Sequence, residues 1–147
     1  LALLGFAHNE PEWVDHLLAV RRHQEARSQV VNLDDVSAEM REQALADCSL
    51  MAAPSISDSF GIVYLDAWRH ARPVIAAADT CCASYMADQE NARLVPFGDV
   101  PRLGTLLDEL LRDPEQRRRL GQAGETLWRE QFTWSRVMDR FDGEVFS

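Results

Sequence analysis

The sequence contains no lysine, and its 15 basic residues, all arginine, are outnumbered by 24 acidic residues, which gives a net charge of −9. Proteins that bind a nucleic-acid backbone normally present a concentrated positive face, so this balance argues against a nucleic-acid partner. Long apolar runs are also absent: no segment approaches the roughly 20 residues that a membrane-spanning helix needs. Because the first residues also lack the pattern of a secretory signal, we expect a cytoplasmic protein.

Cysteine is scarce as well. Three cysteines, an odd number in a chain without a secretory signal, predict reduced thiols rather than a disulfide framework. Cys81 and Cys82 are adjacent, and such residues are more often small, partly buried side chains than a redox pair. A metal site is not expected, because the spacing of the nearest candidate ligands is not that of a metal centre; these candidates are His8, Glu10, Glu12, His16 and His23.

What the chain does have is an alternation of strand and helix patterns. With 147 residues and 46% apolar content, it is long enough for one domain with a real core. The alternation predicts an α/β fold with a doubly wound, Rossmann-like parallel sheet. The predicted strands are 1–5, 29–33, 48–53, 73–77 and 93–95. A helix is predicted at 11–26, and another is capped by Ser37 and ends at Ala46. Two further predicted helices start at Asp113-Pro114 and at a Thr133 cap.

The most informative stretch is residues 54–67, a polar turn that joins a short apolar strand to a helix. Asp58 and Asp66 lie eight residues apart in it, and Gly61 lies between them. The free backbone N–H groups and the positive dipole end of a helix start favour an anion at this edge of a parallel sheet. We expect Gly61 to let a ligand approach the backbone closely. The predicted apolar face of the helix consists of Phe60, Val63, Tyr64, Ala67 and Trp68.

Four landmarks carry a family resemblance: the segments 58–67, Arg72–Ala76, Asn91–Asp99 and Phe132–Trp134. In order and spacing they resemble those of the retaining glycosyltransferases of GT-B fold, group 1 (family 4), over roughly residues 1 to 146. The resemblance implies the C-terminal, nucleotide-sugar-binding half of that fold. It places residues 1–5 at the second strand of this domain, so a first strand-helix unit is expected to be missing.

The resemblance also implies roles for individual residues. Asp58 would accept hydrogen bonds from hydroxyls of the donor sugar and is the candidate catalytic residue, while Asp66 would hold the ribose hydroxyls of the nucleotide. The backbone amides at the helix start would meet the phosphates, and the neighbourhood of Leu33 and Asp34 would face the base. The donor-binding set is therefore Leu33, Asp34, Asp58, Ser59, Phe60, Gly61, Ile62 and Asp66. No metal and no cofactor beyond the nucleoside diphosphate sugar are required by this scheme.

The sequence departs from the family pattern at several of these positions. Asp58 and Asp66 stand where the family usually has glutamate, so each carboxylate is one methylene short. Cys81–Tyr85 replaces a Gly-Gly-x-Pro-Glu segment, and Ala92 stands where glycine is common. An alternative reading of the chain is therefore a non-catalytic interaction or regulatory module of the same fold, with a degenerate donor site.

Simpler roles exist for the same side chains. Asp58 is also suited to be a helix N-cap or turn residue, and Asp66 to lie on a solvated helix face. The cluster 117–119, three arginines in succession, can bind phosphate or anionic headgroups, but its alternation with Glu115 and Glu125 favours a solvated helix.

The resemblance implies a donor-binding domain spanning 1–147, with a C-terminal helix at about 132–147 that would pack against an N-terminal domain. That second domain would supply the acceptor site, so the fragment alone is expected to be inactive. The partners implied are a nucleotide-sugar donor and the N-terminal domain. A peripheral association of the full enzyme with membranes is left open.

Overall fold

The computed structural model describes residues 2–3, 31–32, 36–55 and 58–145, and the chain divides into two units, 1–44 and 45–147. In the first unit, strand β1 (Ala2–Leu3) pairs in parallel with β2 (Val31–Asn32). Helix α1 (Ala38–Asp47) begins in this unit, and the Ser37 hydroxyl accepts a hydrogen bond of 3.2 Å from the backbone N–H of Met40, as expected of a cap. The predicted helix at 11–26 lies outside the described residues.

A parallel sheet forms the centre of the second unit. Its strand order is β3-β4-β5, with Ala52 opposite Ile75 and Ala76 opposite Leu94. The strands predicted at 48–53 and 73–77 begin later in the structure, at Met51 and Val74. The strand predicted at 93–95 has those bounds. In chain order the elements are β3 (Met51–Ala53), α2 (Ile62–Arg69), β4 (Val74–Ala77), a 3₁₀ helix (Cys81–Ser84), β5 (Arg93–Val95), α3 (Val100–Arg112), α4 (Pro114–Gln131) and α5 (Trp134–Val145).

Strand β4 is buried along its whole length and supplies side chains to both faces of the sheet. Val74 and Ala76 join an apolar cluster with the inner face of α2, while Ile75 joins a second cluster with α3 and α4. Helices therefore cover both faces of the sheet, which confirms the predicted α/β class. The first cluster contains Tyr64, Leu65, Ala67 and Trp68 of α2; the second contains Val95, Leu106, Leu110 and Leu120.

Helix ends follow local hydrogen-bonding rules. Asp113 caps α4 as predicted: its carboxylate accepts from the N–H of Gln116 at 2.9 Å, and proline occupies the first helical position. Asp99 caps α3 in the same way through the N–H of Arg102. Thr133 immediately precedes α5, but its hydroxyl lies 3.5 Å from the carbonyl oxygen of Arg129 in the preceding helix.

Helices α2 and α4 approach each other closely because α4 carries two buried glycines on the facing side. A Cβ at Gly124 would lie 2.2 Å from Cδ1 of Trp68, and a Cβ at Gly121 would lie 2.0 Å from the carbonyl oxygen of Ala71. Trp68 is fully buried in this contact. Among the residues that the structure describes, none of the helices has the length and apolar character needed to cross a bilayer.

Candidate functional site

The loops that follow β3, β4 and β5 lie at one edge of the sheet, because the carboxyl ends of parallel strands point the same way. The first of these loops contains residues 58–61, which we call the 58–61 turn. The second contains residues 81–85, here the 81–85 segment. A third follows β5, where the backbone N–H of Phe97 donates to the carboxylate of Asp79 at 3.3 Å. The predicted site therefore lies at the edge where ligands of such sheets bind.

The 58–61 turn ends at the start of α2, and its last residue is the helix N-cap. Gly61 has φ +73° and ψ +45°, in the left-handed region, and no side chain caps the helix there. Asp58 lies three residues earlier, so it is not the N-cap; it lies in the turn, which is the other simple role considered for it. The helix begins at Ile62, later than the apolar pattern suggested, so Phe60 precedes it. Phe60 and Val63 are exposed, and Leu65 is buried.

Gly61 is required by the packing of the protein itself, and its predicted role in the close approach of a ligand stays a prediction. A Cβ on this residue would lie 2.4 Å from Cδ2 of Tyr64 and 2.7 Å from Sγ of Cys82. The space beside the Cα is therefore filled by the protein itself, and the left-handed φ already favours glycine. Packing and backbone conformation both require a glycine here, independently of any ligand.

Side chains of the 81–85 segment hold the 58–61 turn by its carbonyl groups. Sγ of Cys81 lies 2.8 Å from the carbonyl oxygen of Asp58 and 2.8 Å from that of Ser59. The hydroxyl of Tyr85 donates to the carbonyl oxygen of Phe60. Three successive carbonyl groups of the turn thus face two side-chain donors, and the carbonyls of Asp58 and Ser59 share the single thiol hydrogen of Cys81. Sequence reasoning missed this role, because Cys81–Tyr85 was noted only as a departure from a family pattern.

Two tyrosine hydroxyls, those of Tyr85 and Tyr64, donate at this edge of the sheet. The Tyr85 ring contacts Phe60 and Phe132, with ring centroids 6.0 and 5.3 Å apart, and it also meets the edge of Trp68. Burial raises the pKa of the Tyr85 phenol well above its ordinary value, and it does the same for Tyr64, whose hydroxyl donates to the carbonyl of Ala53 at the end of β3. Both hydroxyls are therefore hydrogen-bond donors at neutral pH.

The backbone N–H groups at the end of the turn have no acceptor among the residues that the structure describes. Within the described residues, the N–H groups of Ser59, Phe60, Gly61 and Ile62 have no hydrogen-bond partner. The four belong to the predicted donor-binding set. Unsatisfied N–H groups at a helix start are satisfied by water or by a ligand, and the dipole there favours an anion.

The second predicted carboxylate, Asp66, lies one turn into α2 on its outer face. Its side chain is 38% exposed and lies 3.9 Å from the guanidinium of Arg69. Ile62, one turn earlier on the same side of the helix, is 67% exposed. The structure thus places Asp66 near the helix start with its carboxylate accessible. Leu33 and Asp34, predicted to face the base, lie outside the described residues.

The arginine cluster 117–119 has internal partners. Arg117 donates to the carbonyl of Leu111 at 2.7 Å, and Arg119 donates to that of Gln89 at 2.9 Å. Arg118 pairs with Glu115 and also donates to Gln122 at 3.0 Å. These partners fit the predicted solvated helix.

A cavity of about 320 Å³ lies beside the cluster, at the amino ends of β3 and β4. It is therefore at the opposite edge of the sheet from the 58–61 turn. Cys48 and Arg72 line it together with Arg117. Cys48 is free, as are Cys81 and Cys82, in agreement with the predicted reduced thiols.

Comparison with known proteins gives a family match and several similar proteins. The family model described as glycosyl transferases group 1 matches residues 5–127. A D-inositol 3-phosphate glycosyltransferase from Stackebrandtia nassauensis is 29% identical over 135 residues, which is 92% of this chain and 30% of that protein. The chain thus spans less than a third of the length of this relative.

Solved structures agree with this assignment at the level of the fold. Anabaena Alr3699/HepE, determined in complex with UDP-glucose, has a TM-score of 0.84 at 20% identity, covering 98% of this chain and 40% of that one. The C-terminal domain of the group 1 family protein LpcC from Francisella tularensis has a TM-score of 0.77 at 18% identity, covering 84% of this chain and 64% of that one. The architecture is that of the C-terminal part of a GT-B glycosyltransferase. On the family match and the shared fold, this chain belongs to the glycosyl transferases group 1 family.

Proposed function

We propose that this chain is the nucleotide-sugar-binding domain of a retaining hexosyltransferase that moves a sugar from a nucleoside diphosphate sugar to an acceptor hydroxyl. The observation that carries the proposal is the family match over residues 5–127. It is supported by HepE, a structure of the same fold that was determined with UDP-glucose and with UDP. The relatives named as D-inositol 3-phosphate glycosyltransferases support transfer to a hydroxyl acceptor.

The donor diphosphate is assigned to the 58–61 turn and the start of α2. Its support is the set of unpartnered N–H groups from Ser59 to Ile62 together with the positive end of the helix dipole. In the reaction these groups would stabilise the negative charge that develops on the departing nucleoside diphosphate. Neither a metal nor an additional cofactor is needed for this step.

The two carboxylates are assigned to opposite ends of the donor. Asp58 would accept hydrogen bonds from the sugar hydroxyls and hold the oxocarbenium-like sugar near the acceptor, and Asp66 would accept from the ribose hydroxyls. The accessible position of Asp66 on the outer face of α2 supports the second role. Leu33 and Asp34 are proposed to face the base. The cytoplasm is the proposed location, with a peripheral membrane association of the full enzyme left open.

Helix α5 is proposed to pack against an N-terminal domain of the longer enzyme. Its exposed apolar side chains recur at the spacing of a single helix face. Trp134 is 80% exposed and Phe141 is 55% exposed. Large aromatic side chains are normally much less exposed than this, and a group of exposed ones marks a surface that binds a partner. The stripe consists of Trp134, Val137, Met138 and Phe141.

Because the acceptor site would belong to that second domain, we expect the isolated 147 residues to bind a donor without transferring its sugar. The measurement is release of free nucleotide from UDP-glucose or GDP-mannose in the presence of inositol phosphate. Sugar transfer by this chain alone would contradict the assignment of the acceptor site to another domain.

Donor binding itself is tested by thermal denaturation with millimolar UDP, GDP or ADP. A ligand present at 100 times its Kd adds about 2.7 kcal/mol of stability, which gives a clear rise in the unfolding midpoint. We expect one of the three nucleotides to produce this rise. In the variant Asp66→Ala, the loss of a charged acceptor for the ribose hydroxyls should weaken binding about tenfold or more.

A matched control is Asp108→Ala. Asp108 also lies on an exposed helix face and pairs with an arginine, Arg112, at 2.9 Å, but it belongs to α3. This variant should respond to the nucleotide like the parent chain. If none of the nucleotides stabilises the parent, the donor site is not functional in this chain and the non-catalytic module becomes the better reading.

A further inference from the structure

We infer that Cys81 and Tyr85 are positioning residues, which hold the carbonyl groups of Asp58, Ser59 and Phe60 so that the N–H groups of the same peptides face the donor diphosphate. The inference rests on the proposed function. It assigns a task to two side chains that the proposed mechanism does not otherwise use.

The argument starts from the geometry of the peptide group. In a trans peptide the C=O of one residue and the N–H of the next point in opposite directions, and the described residues contain no cis peptide. The carbonyls of Asp58 and Ser59 are directed at Sγ of Cys81, and the carbonyl of Phe60 is directed at the hydroxyl of Tyr85. The N–H groups of Ser59, Phe60 and Gly61 must therefore point away from the 81–85 segment.

The next peptide continues the same arrangement. The carbonyl of Gly61 accepts from the N–H of Tyr64 at 2.9 Å and so points along α2. The N–H of Ile62 consequently points out of the helix start. Four successive N–H groups are thus turned outward, and three of the four are oriented by side chains of the 81–85 segment. An anion in front of the turn would meet all of them.

The two side chains are themselves held in place. The phenol of Tyr85 is fixed by ring contacts with Phe60 and Phe132, so its hydroxyl cannot leave the carbonyl of Phe60 without breaking that packing. Cys81 is the first residue of the 3₁₀ helix, and Thr80, which precedes it, is tied to the end of β4 because its hydroxyl donates to the carbonyl of Ala77 at 3.3 Å. The turn is therefore organised before a ligand arrives, which lowers the cost of binding.

The test compares UDP with uridine, because only UDP carries the diphosphate. We expect Tyr85→Phe and Cys81→Ala each to raise the Kd for UDP about fivefold to tenfold, the equivalent of one lost hydrogen bond. The Kd for uridine, measured by ligand-observed NMR, should change by less than twofold. Cys81→Ser restores a donor at the same position and should recover most of the UDP affinity.

Cys48→Ala is the matched control, since the Cys48 thiol also donates to a backbone carbonyl, that of Leu45 at 3.3 Å, but at the far edge of the sheet. It should leave both Kd values unchanged. Equal weakening of UDP and uridine, or unchanged UDP affinity in both single variants, overturns the inference alone. If the parent chain binds GDP or ADP instead of UDP, the same comparison is made with that nucleotide and its nucleoside. Failure of the parent chain to bind any of the three overturns the proposed donor site, and the inference with it.

Discussion

Replacing Gly61 by alanine is expected to lower the free energy of unfolding by at least about 2 kcal/mol, the combined effect of a left-handed backbone and an overfilled core. The new methyl group would lie 2.4 Å from the ring of Tyr64 and 2.7 Å from Sγ of Cys82. Both neighbours are buried, and the Tyr64 hydroxyl is bound to the end of β3, so neither can move freely. Chemical denaturation of the parent and the variant measures the loss.

Gly98→Ala separates the two causes of this loss. Gly98 also has a positive φ, +81°, but a Cβ there would meet nothing within 4 Å. This variant should show only the conformational part, about 1 to 2 kcal/mol. If Gly61→Ala loses no more stability than Gly98→Ala, the packing of Tyr64 and Cys82 around Gly61 is not as described.

Replacing Gly121 by alanine is expected to cost about 1 to 3 kcal/mol, although alanine is the better helix former. The added Cβ would lie 2.0 Å from the carbonyl oxygen of Ala71, a backbone atom that cannot rotate away. Relief therefore requires α4 to move as a whole from the turn that follows α2. Gly124→Ala, against the fully buried ring of Trp68, should behave similarly.

The control for this pair is Gly104→Ala in α3. Gly104 is exposed, and a Cβ there would meet nothing within 4 Å, so only the helix propensity changes. We expect a gain of about 0.5 to 1 kcal/mol. The expected result is that alanine raises the free energy of unfolding at position 104 and lowers it at position 121. A gain in stability at Gly121 as well would contradict the close approach of α4 to Ala71.

Features governed by local chemistry could be predicted from the sequence. The Asp113-Pro114 start of α4 was identified because the cap, the proline and Gln116 all lie within four residues. The strand Arg93–Val95 was identified because it is a short β-prone run between turns. The start of α2 was less clear, because helical periodicity does not show where a left-handed glycine interrupts the chain.

In the site too, local features could be predicted from the sequence, whereas contacts between distant residues could not. The position of the 58–61 turn at the carboxyl edge of the sheet follows from the order of strand, turn and helix. The contacts of Cys81 and Tyr85 with that turn join residues more than 20 positions apart, and they depend on how two loops meet in space. No local sequence pattern predicts such a contact. The same holds for Gly121 and Gly124, whose need for small size comes from Ala71 and Trp68 on another part of the chain.

The central strand β4 limits how this chain can vary. Its four residues serve two opposite faces, so Val74 and Ala76 are constrained by α2 while Ile75 is constrained by α3 and α4. A larger residue at Ala76 would displace the strand, and with it Ile75 on the other side. Substitutions in α2 and substitutions in α3 and α4 are therefore expected to be correlated, because both sets of helices pack on β4. Homologues with larger side chains in β4 should carry smaller ones in α2.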